Sequence, residues 1–237
     1  MDDRDLWDHF STLARDMSES TGLPATLQSA VEGAISLIPH AQSAGISMVH
    51  KQRPIETPAA TDARCLRGDE LQYTLGEGPC LQAIAQHETV RCSDLREEDR
   101  WPVWSRRVSD ELGFRSMLCV QLFVTKDTLG ALNLYSTQIE AFDADDEATA
   151  LALAAHVAVA LTAAKEFESL ESAIASRTVI GQAEGMLMQR YNLTPQQAFA
   201  ALARESQASN RRLRHIAEDI VRNGVEAPRP GPGPGGS

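Results

Sequence analysis

The sequence predicts an α+β fold: an antiparallel sheet with flanking helices, a long connector helix, and a C-terminal three-helix bundle. Three observations predict it. Apolar residues recur at helical spacing at both ends of the chain, while two pairs of strand-like runs interrupt that period in the middle. A helical stretch without Pro or Gly starts near Ala144 and runs for more than thirty residues. Charge then changes sign. With 14 basic and 28 acidic residues, 1–176 carries −14, whereas seven arginines against four carboxylates leave 177–223 at +3.

Leu6, Trp7, Phe10, Leu13 and Met17 make one apolar stripe, so Asp2–Met17 reads as an amphipathic helix with acidic residues at its favourable end. Gly22 and Pro24 interrupt it, and a second helix is predicted over Ala25–Ile38, closed by Pro39. Ser43–His50 and Ile55–Asp62 read as strands around a turn containing Pro54. Ser116–Val124 and Leu129–Ser136 form the strongest strand pair, joined through Lys126 and Asp127 as an antiparallel hairpin. Between the pairs the sequence predicts one helix from Pro79 and a loop-rich stretch around Trp101–Trp104. Gly76-Glu77-Gly78-Pro79 is a turn feeding that helix; it lacks the Lys-Ser/Thr ending of a phosphate-binding loop.

The Ala-rich helix from Ala144 is predicted to reach Ser176, or as far as Gly181. Its first part covers the sheet. In its later part Phe167, Leu170 and Ile174 form a two-turn seam, suited either to a second copy of the chain or to a solvated connector. Three helices follow. The first, Arg177–Tyr191, is apolar at Ile180, Ala183, Leu187 and Tyr191. Thr194, Pro195 and Gln197 supply an N-cap, a first-turn proline and a capping box for the second, Pro195–Ser206, which is expected to bury Ala198, Phe199 and Leu202. Ser209 is expected to cap the third, with Leu213, Ile216, Ala217, Ile220 and Val221 facing inward and Asn223-Gly224 stopping it. The resulting division is an N-terminal helix (1–20), a globular α+β unit (21–165), a connector (166–176), a basic three-helix unit (177–223) and a flexible tail (224–237).

Several functions are disfavoured. The six histidines are scattered and no metalloprotease or nucleophile-elbow signature is present, so an enzyme is not expected. Cys65, Cys80, Cys92 and Cys119 lie far apart without a CxxC pair, the pattern of reduced, partly buried thiols, with a redox or cluster role as the alternative. No pattern specifies a metal or a cofactor. The N-terminus lacks a signal-peptide core, and the longest apolar stretch, Ala148–Ala164, is broken by His156 and shorter than the roughly 20 residues that span a bilayer. A cytoplasmic protein without a membrane partner is the reading.

The basic unit carries the function. With Leu213, Ile216 and Ile220 inward, Arg211, Arg212, Arg214 and His215 are left facing water, at a helix N-terminus where the dipole prefers acids. A polyanion explains that placement. The same turn also suits a helix-turn-helix on duplex DNA.

Thr178–Val221 resembles an ANTAR domain, the three-helix RNA-binding module of bacterial transcription antiterminators. The matching residues are Ile180-Gly181-Gln182-Ala183, Gly185, Leu187-Met188, Ala198-Phe199, Leu202, Ser206-Gln207, Asn210, Leu213 and Ile216-Ala217 into Val221. Glu184 departs from the Lys many members carry. The region from Gly22 to Ala164 resembles a GAF sensory domain of the kind joined to ANTAR in actinobacteria, through Gly76–Cys80, Trp101–Trp104, Gly113, Arg115-Ser116, Gly130–Ser136 and Ala141–Asp143. It lacks the NKFDE-type motif of cyclic-nucleotide-binding members. The resemblance implies a signal-responsive antiterminator that binds paired hairpins in the leaders of nascent mRNA and affects RNA polymerase indirectly. It further implies a homodimer, or two modules brought together by the signal domain, coupled through Phe167, Leu170 and Ile174, with Asn210 and Gln182 as candidates to read base edges and Arg190, Arg211, Arg212 and Arg214 to hold the phosphate backbone. A small-molecule signal in the GAF domain is implied as well, with Trp101, Trp104 and Cys119 as candidate pocket residues and core or loop packing as the other reading of the two tryptophans.

Overall fold

The structure is a computed structural model that describes residues 3–50, 53–86, 88–124 and 127–224. Lys126 of the expected turn, His87 and the tail beyond Gly224 lie outside the described residues. The chain divides after Phe167 into two compact units.

In the first unit, α1 (Asp3–Glu19) and α2 (Leu23–Leu37) precede β1 (Ser43–His50) and β2 (Arg53–Ala60). Then come α3 (Ala63–Leu75), α4 (Pro79–Gln86), β3 (Val90–Cys92), α5 (Pro102–Leu112), β4 (Ser116–Val124) and β5 (Asp127–Ser136). The five strands form one antiparallel sheet in the order β2-β1-β5-β4-β3. Period-two alternation sorts its side chains into two cores. Ile46, Leu118, Val120, Leu132 and Leu134 face α1, α2 and the start of α6 (Ala144–Tyr191). Met117, Cys119, Ala131 and Tyr135 face α3, α4 and α5. The sheet is therefore covered on both sides, which is why β4 is apolar almost throughout, while β1 and β5 mix apolar residues with buried Ser43, Ser47, Asn133 and Ser136.

Four features differ from the expectation. Pro54 sits inside β2 rather than in the turn before it. β2 is an edge strand, where a missing N–H costs no ladder bond. α3 and β3 were not expected. α3 buries Gly68, Asp69 and Gln72 alongside Cys65 and Leu71, so its inner face does not read as apolar. The stretch from Trp101 is a helix, α5, opened by Pro102 and ended by Gly113 in the left-handed conformation (φ 76°).

Fourth, α6 does not stop at Ser176 but continues for 48 residues to Tyr191. Asp143 begins it: its Oδ1 accepts from the amides of Asp145 and Asp146, both at 2.9 Å. By length and composition α6 is apolar enough to cross a membrane, but its Leu153, Val157 and Leu161 are wholly buried in the sheet core.

The second unit comprises the end of α6, α7 (Pro195–Ser209) and α8 (Leu213–Asn223). Ala183, Leu187, Ala198, Leu202, Ile216 and Ala217 form its core, with Ile180, Leu213 and Ile220 packed around them. Phe199, Tyr191 and Val221, expected inside, are instead exposed, Phe199 by 48%. Ala198 and Leu202 define the inward line of α7, and Phe199 stands about 100° from Ala198 around it.

Candidate nucleic-acid interface and buried polar core

The turn between α7 and α8 is built from both sides. Thr194 Oγ1 accepts from the Gln197 amide at 3.3 Å, and Gln197 Oε1 accepts from the Thr194 amide at 2.9 Å, which completes the capping box of α7. Ser209 is the last residue of α7 and donates its hydroxyl to Glu205 O at 2.7 Å; it does not cap α8. The stop is one residue later. Asn210 adopts the left-handed conformation (φ 51°, ψ 34°), which Asn tolerates better than most side chains. Ser206 Oγ donates to Arg211 O at 2.6 Å and holds the exit. Arg212 then occupies the N-cap of α8 with no side-chain capping bond, so the first amides of that helix remain available to an outside acceptor.

The three arginines differ. Arg211 Nη2 lies 2.7 Å from Asp219 Oδ2, and Arg214 Nε lies 2.7 Å from Glu218 Oε1. Both pairs are at the surface, where such contacts contribute about 0–1 kcal/mol and open readily. Arg212 is exposed and makes no ion pair among the described residues. Arg214 also approaches Ser172 Oγ on α6, at 3.5 Å. Gln182 and Arg190 are exposed on α6, about 15 Å and about 27 Å of helix rise beyond Ser172. The structure thus gathers Asn210, Arg211, Arg212 and Arg214 at one turn and sets Gln182 and Arg190 progressively further along α6.

In the first unit, Trp101, Trp104 and Cys119 are all buried on the α3–α5 side of the sheet. The two indoles meet edge to face, with centroids 6.2 Å apart. Trp104 Nε1 donates to Gly68 O at 3.0 Å, and Cys119 Sγ to Asn133 Oδ1 at 3.0 Å. Glu77, read from sequence as part of a turn, reaches across to α5: its Oε1 accepts from the amides of Val103 (2.8 Å) and Trp104 (2.6 Å).

Beside these residues runs a buried polar network that sequence reasoning missed altogether. Asp69 is wholly enclosed, and it accepts from Tyr135 Oη (2.6 Å), Thr57 Oγ1 (3.0 Å) and Gln72 Nε2 (3.5 Å). Tyr73 Oη contacts both Thr57 (2.7 Å) and Ser47 (2.5 Å), and Ser47 accepts from Asn133 Nδ2 (2.8 Å) and Cys80 Sγ (3.1 Å). Burial raises Asp69 to about 6 against the pull of these hydrogen bonds. Burial likewise pushes the thiols of Cys65 and Cys119 well up and Cys92 to about 12, which leaves them protonated and poor nucleophiles. Among the described residues, every buried side-chain nitrogen and oxygen has a partner.

A GAF domain family model matches residues 20–162, and an ANTAR domain family model matches residues 168–221. No curated protein sequence matches the chain. Solved structures share the fold of the first unit. The GAF domain of an Acinetobacter phosphoenolpyruvate-protein phosphotransferase superposes with a TM-score of 0.55 at 14% identity, over 70% of this chain and 97% of that one. A free methionine-R-sulfoxide reductase from Neisseria meningitidis gives 0.56 at 17% identity, over 68% and 90%. The photosensory core module of a Stigmatella aurantiaca phytochrome gives 0.60 at 11% identity, over 86% and 44%.

Proposed function

The chain belongs to the GAF domain family and carries a C-terminal ANTAR domain, the makeup of an RNA-binding antitermination regulator with a signal-sensing domain, and on that premise we propose that it grips paired hairpins in nascent leader RNA as a homodimer. The observation that supports this reading is the α7–α8 turn. Among the described residues Arg212 makes no ion pair, Arg211 and Arg214 pair with surface carboxylates, and the uncapped start of α8 adds its positive end. Phosphates of a hairpin stem suit the guanidinium groups, and bases splayed from its loop suit Asn210. Gln182 and Arg190 extend the contact along α6 to a longer RNA.

Regulation comes from the GAF unit. A small molecule bound near Trp101, Trp104 and Cys119 alters how two ANTAR units are presented, with Phe167, Leu170 and Ile174 as the coupling seam. All three seam residues are exposed on α6. Holding paired hairpins disfavours a competing terminator, so the polymerase is affected indirectly. The protein works in the cytoplasm without catalysis.

The test is competition of a labelled leader hairpin against duplex DNA. Preference for the duplex would replace this reading by a helix-turn-helix on DNA, which the short α7–α8 connection would also allow. Changing Arg211, Arg212 and Arg214 together to Ala should abolish hairpin binding while leaving the helical content intact. In the single variant Arg212→Ala, which keeps the other two arginines, the log–log salt slope of the native protein should fall by roughly 0.9, the share of one duplex phosphate.

A further inference from the structure

Residues 177–223 hold only two side chains of the Phe, Tyr or Trp type, Tyr191 and Phe199. Phe199 stands in the second turn of α7, 48% exposed and outside the core that Ala198 and Leu202 enter. Its ring makes no aromatic or cation–π contact among the described residues. Phenylalanine is also a poorer helix former than the alanines around it, so neither propensity nor core packing favours it at this position.

Helical geometry gives the ring a direction. At about 100° per residue, Phe199, Ala203, Ser206 and the C-cap Asn210 fall within an arc of about 60° on one face of α7. Asn210 lies about 16 Å further along the axis, where Arg211 and Arg212 follow. At about 3.4 Å per nucleotide of a stacked strand, that distance is roughly five nucleotides. One hairpin can therefore reach both the ring and the arginine turn.

Charge and chemistry select the occupant. α7 carries a single carboxylate, Glu205, and it lies about 120° around the helix from Phe199. The face from Phe199 to Asn210 thus sets no negative charge against a polyanion, and it belongs to a stretch with seven arginines against four carboxylates. An exposed ring in line with an exposed amide and guanidinium groups is a combination that holds unpaired bases. The ring takes the π-face of any base, the amide takes an edge, and the guanidinium groups take the phosphates. A paired stem keeps its base faces stacked on one another, so the partner of the ring is a base of the loop.

We propose that Phe199 is a stacking platform for an unpaired loop base of the RNA, so that the face of α7 from Phe199 to Asn210 recognises the loop while the arginine turn holds the stem phosphates. This rests on the RNA-binding reading above and extends it beyond the charged turn.

The test uses the full chain and a hairpin that it selects from a pool with randomised loops. 2-Aminopurine, a base whose emission is quenched by stacking, replaces each loop base in turn. Binding of the native chain should dim one position. Phe199→Leu keeps an apolar side chain and a strong helix former but removes the π-face. It should leave that position bright and bind about tenfold less tightly, about 1.4 kcal/mol. Phe199→Tyr restores a ring and should behave as the native chain does. The salt slope should stay the same in both variants, because no phosphate contact is lost. A Phe199→Leu chain that dims the same base and binds with native affinity overturns the proposal and leaves the RNA-binding reading intact. If Phe199→Leu instead weakens a dimer in sedimentation velocity while the base stays dim, the ring belongs to a contact between copies and the proposal falls. A native chain that selects no hairpin at all removes the RNA-binding reading and this proposal together.

Discussion

The hydroxyl of Tyr135 donates to the carboxylate of Asp69 at 2.6 Å, and both side chains are wholly buried beneath α3. No lysine or arginine pairs with Asp69 among the described residues; its donors are the neutral groups of Tyr135, Asn133, Thr57 and Gln72. A carboxylate held only by neutral donors in a dry site keeps its proton longer than in water, and burial raises this one to about 6. It ties β5, β2 and α3 to one titrating group.

The pH dependence follows from that direction. The folded state binds the Asp69 proton more tightly than the unfolded chain, whose carboxyl titrates near 3.8. Its contribution is therefore complete below about pH 4 and lost as pH rises through about 6, amounting to at most about 3 kcal/mol for two units. Asp62, Asp94, Glu98 and Asp143 are held low and act in the opposite sense, but they are common to native and variant proteins. Urea unfolding of native and Asp69→Asn chains should diverge in favour of the variant between pH 4 and pH 7. Parallel stability curves would show that Asp69 does not titrate there.

Asn210 combines two roles that substitution can separate. Its left-handed conformation ends α7, and its side chain is exposed where the proposed RNA contact lies. Glycine accepts that conformation freely, while alanine pays about 1 kcal/mol. Asn210→Ala should lower the melting temperature and Asn210→Gly should leave it nearly unchanged, with both losing about tenfold in hairpin affinity because each lacks the amide. Full affinity in Asn210→Gly would reduce the residue to a cap.

The carboxylates opposite the arginines set the strength of the field. Asp219 and Glu218 each neutralise one guanidinium of the turn. Removing both charges in Asp219→Asn with Glu218→Gln should tighten hairpin binding by about three- to tenfold at low salt, at a stability cost of about 1 kcal/mol or less. Arg212→Ala should weaken binding without moving the melting curve, because among the described residues its side chain makes neither a capping bond nor an ion pair. Fluorescence anisotropy across a salt series, beside thermal melts, decides both.

What was legible depended on how far the deciding contact lay along the chain. Ser43–His50 and Ser116–Val124 give β1 and β4 end to end: β4, buried on both faces, is a nearly continuous apolar run, and β1 keeps β-forming Ile46, Met48 and Val49 among small residues. The capping box at Thr194 and Gln197 was equally local. At Ser209-Asn210 two local rules competed, and the tolerance of Asn for a left-handed C-cap prevailed over the preference of Ser for an N-cap. The arginine cluster could be read because charge near a helix start is itself a sequence pattern. The Asp69 network could not, because Tyr135 and Asn133 come to it from more than sixty residues away. α3 hid for the same reason, its polar inner face making sense only beside β5.

Glu77 is the other long-range contact, and it gives the last test. Trp101, at the N-cap of α5, offers no capping bond, and Glu77 Oε1 takes the two amides that follow. A carboxylate there meets both the unpaired N–H groups and the positive end of the helix. Glu77→Ala should cost about 1–2 kcal/mol, whereas Glu77→Gln keeps an accepting oxygen and should lose roughly half as much. The near-ultraviolet dichroism of the buried tryptophans should change in Glu77→Ala, since the start of α5 positions Trp104 over Gly68. An Ala variant that melts with the native protein would mean that water serves those amides as well as the carboxylate does.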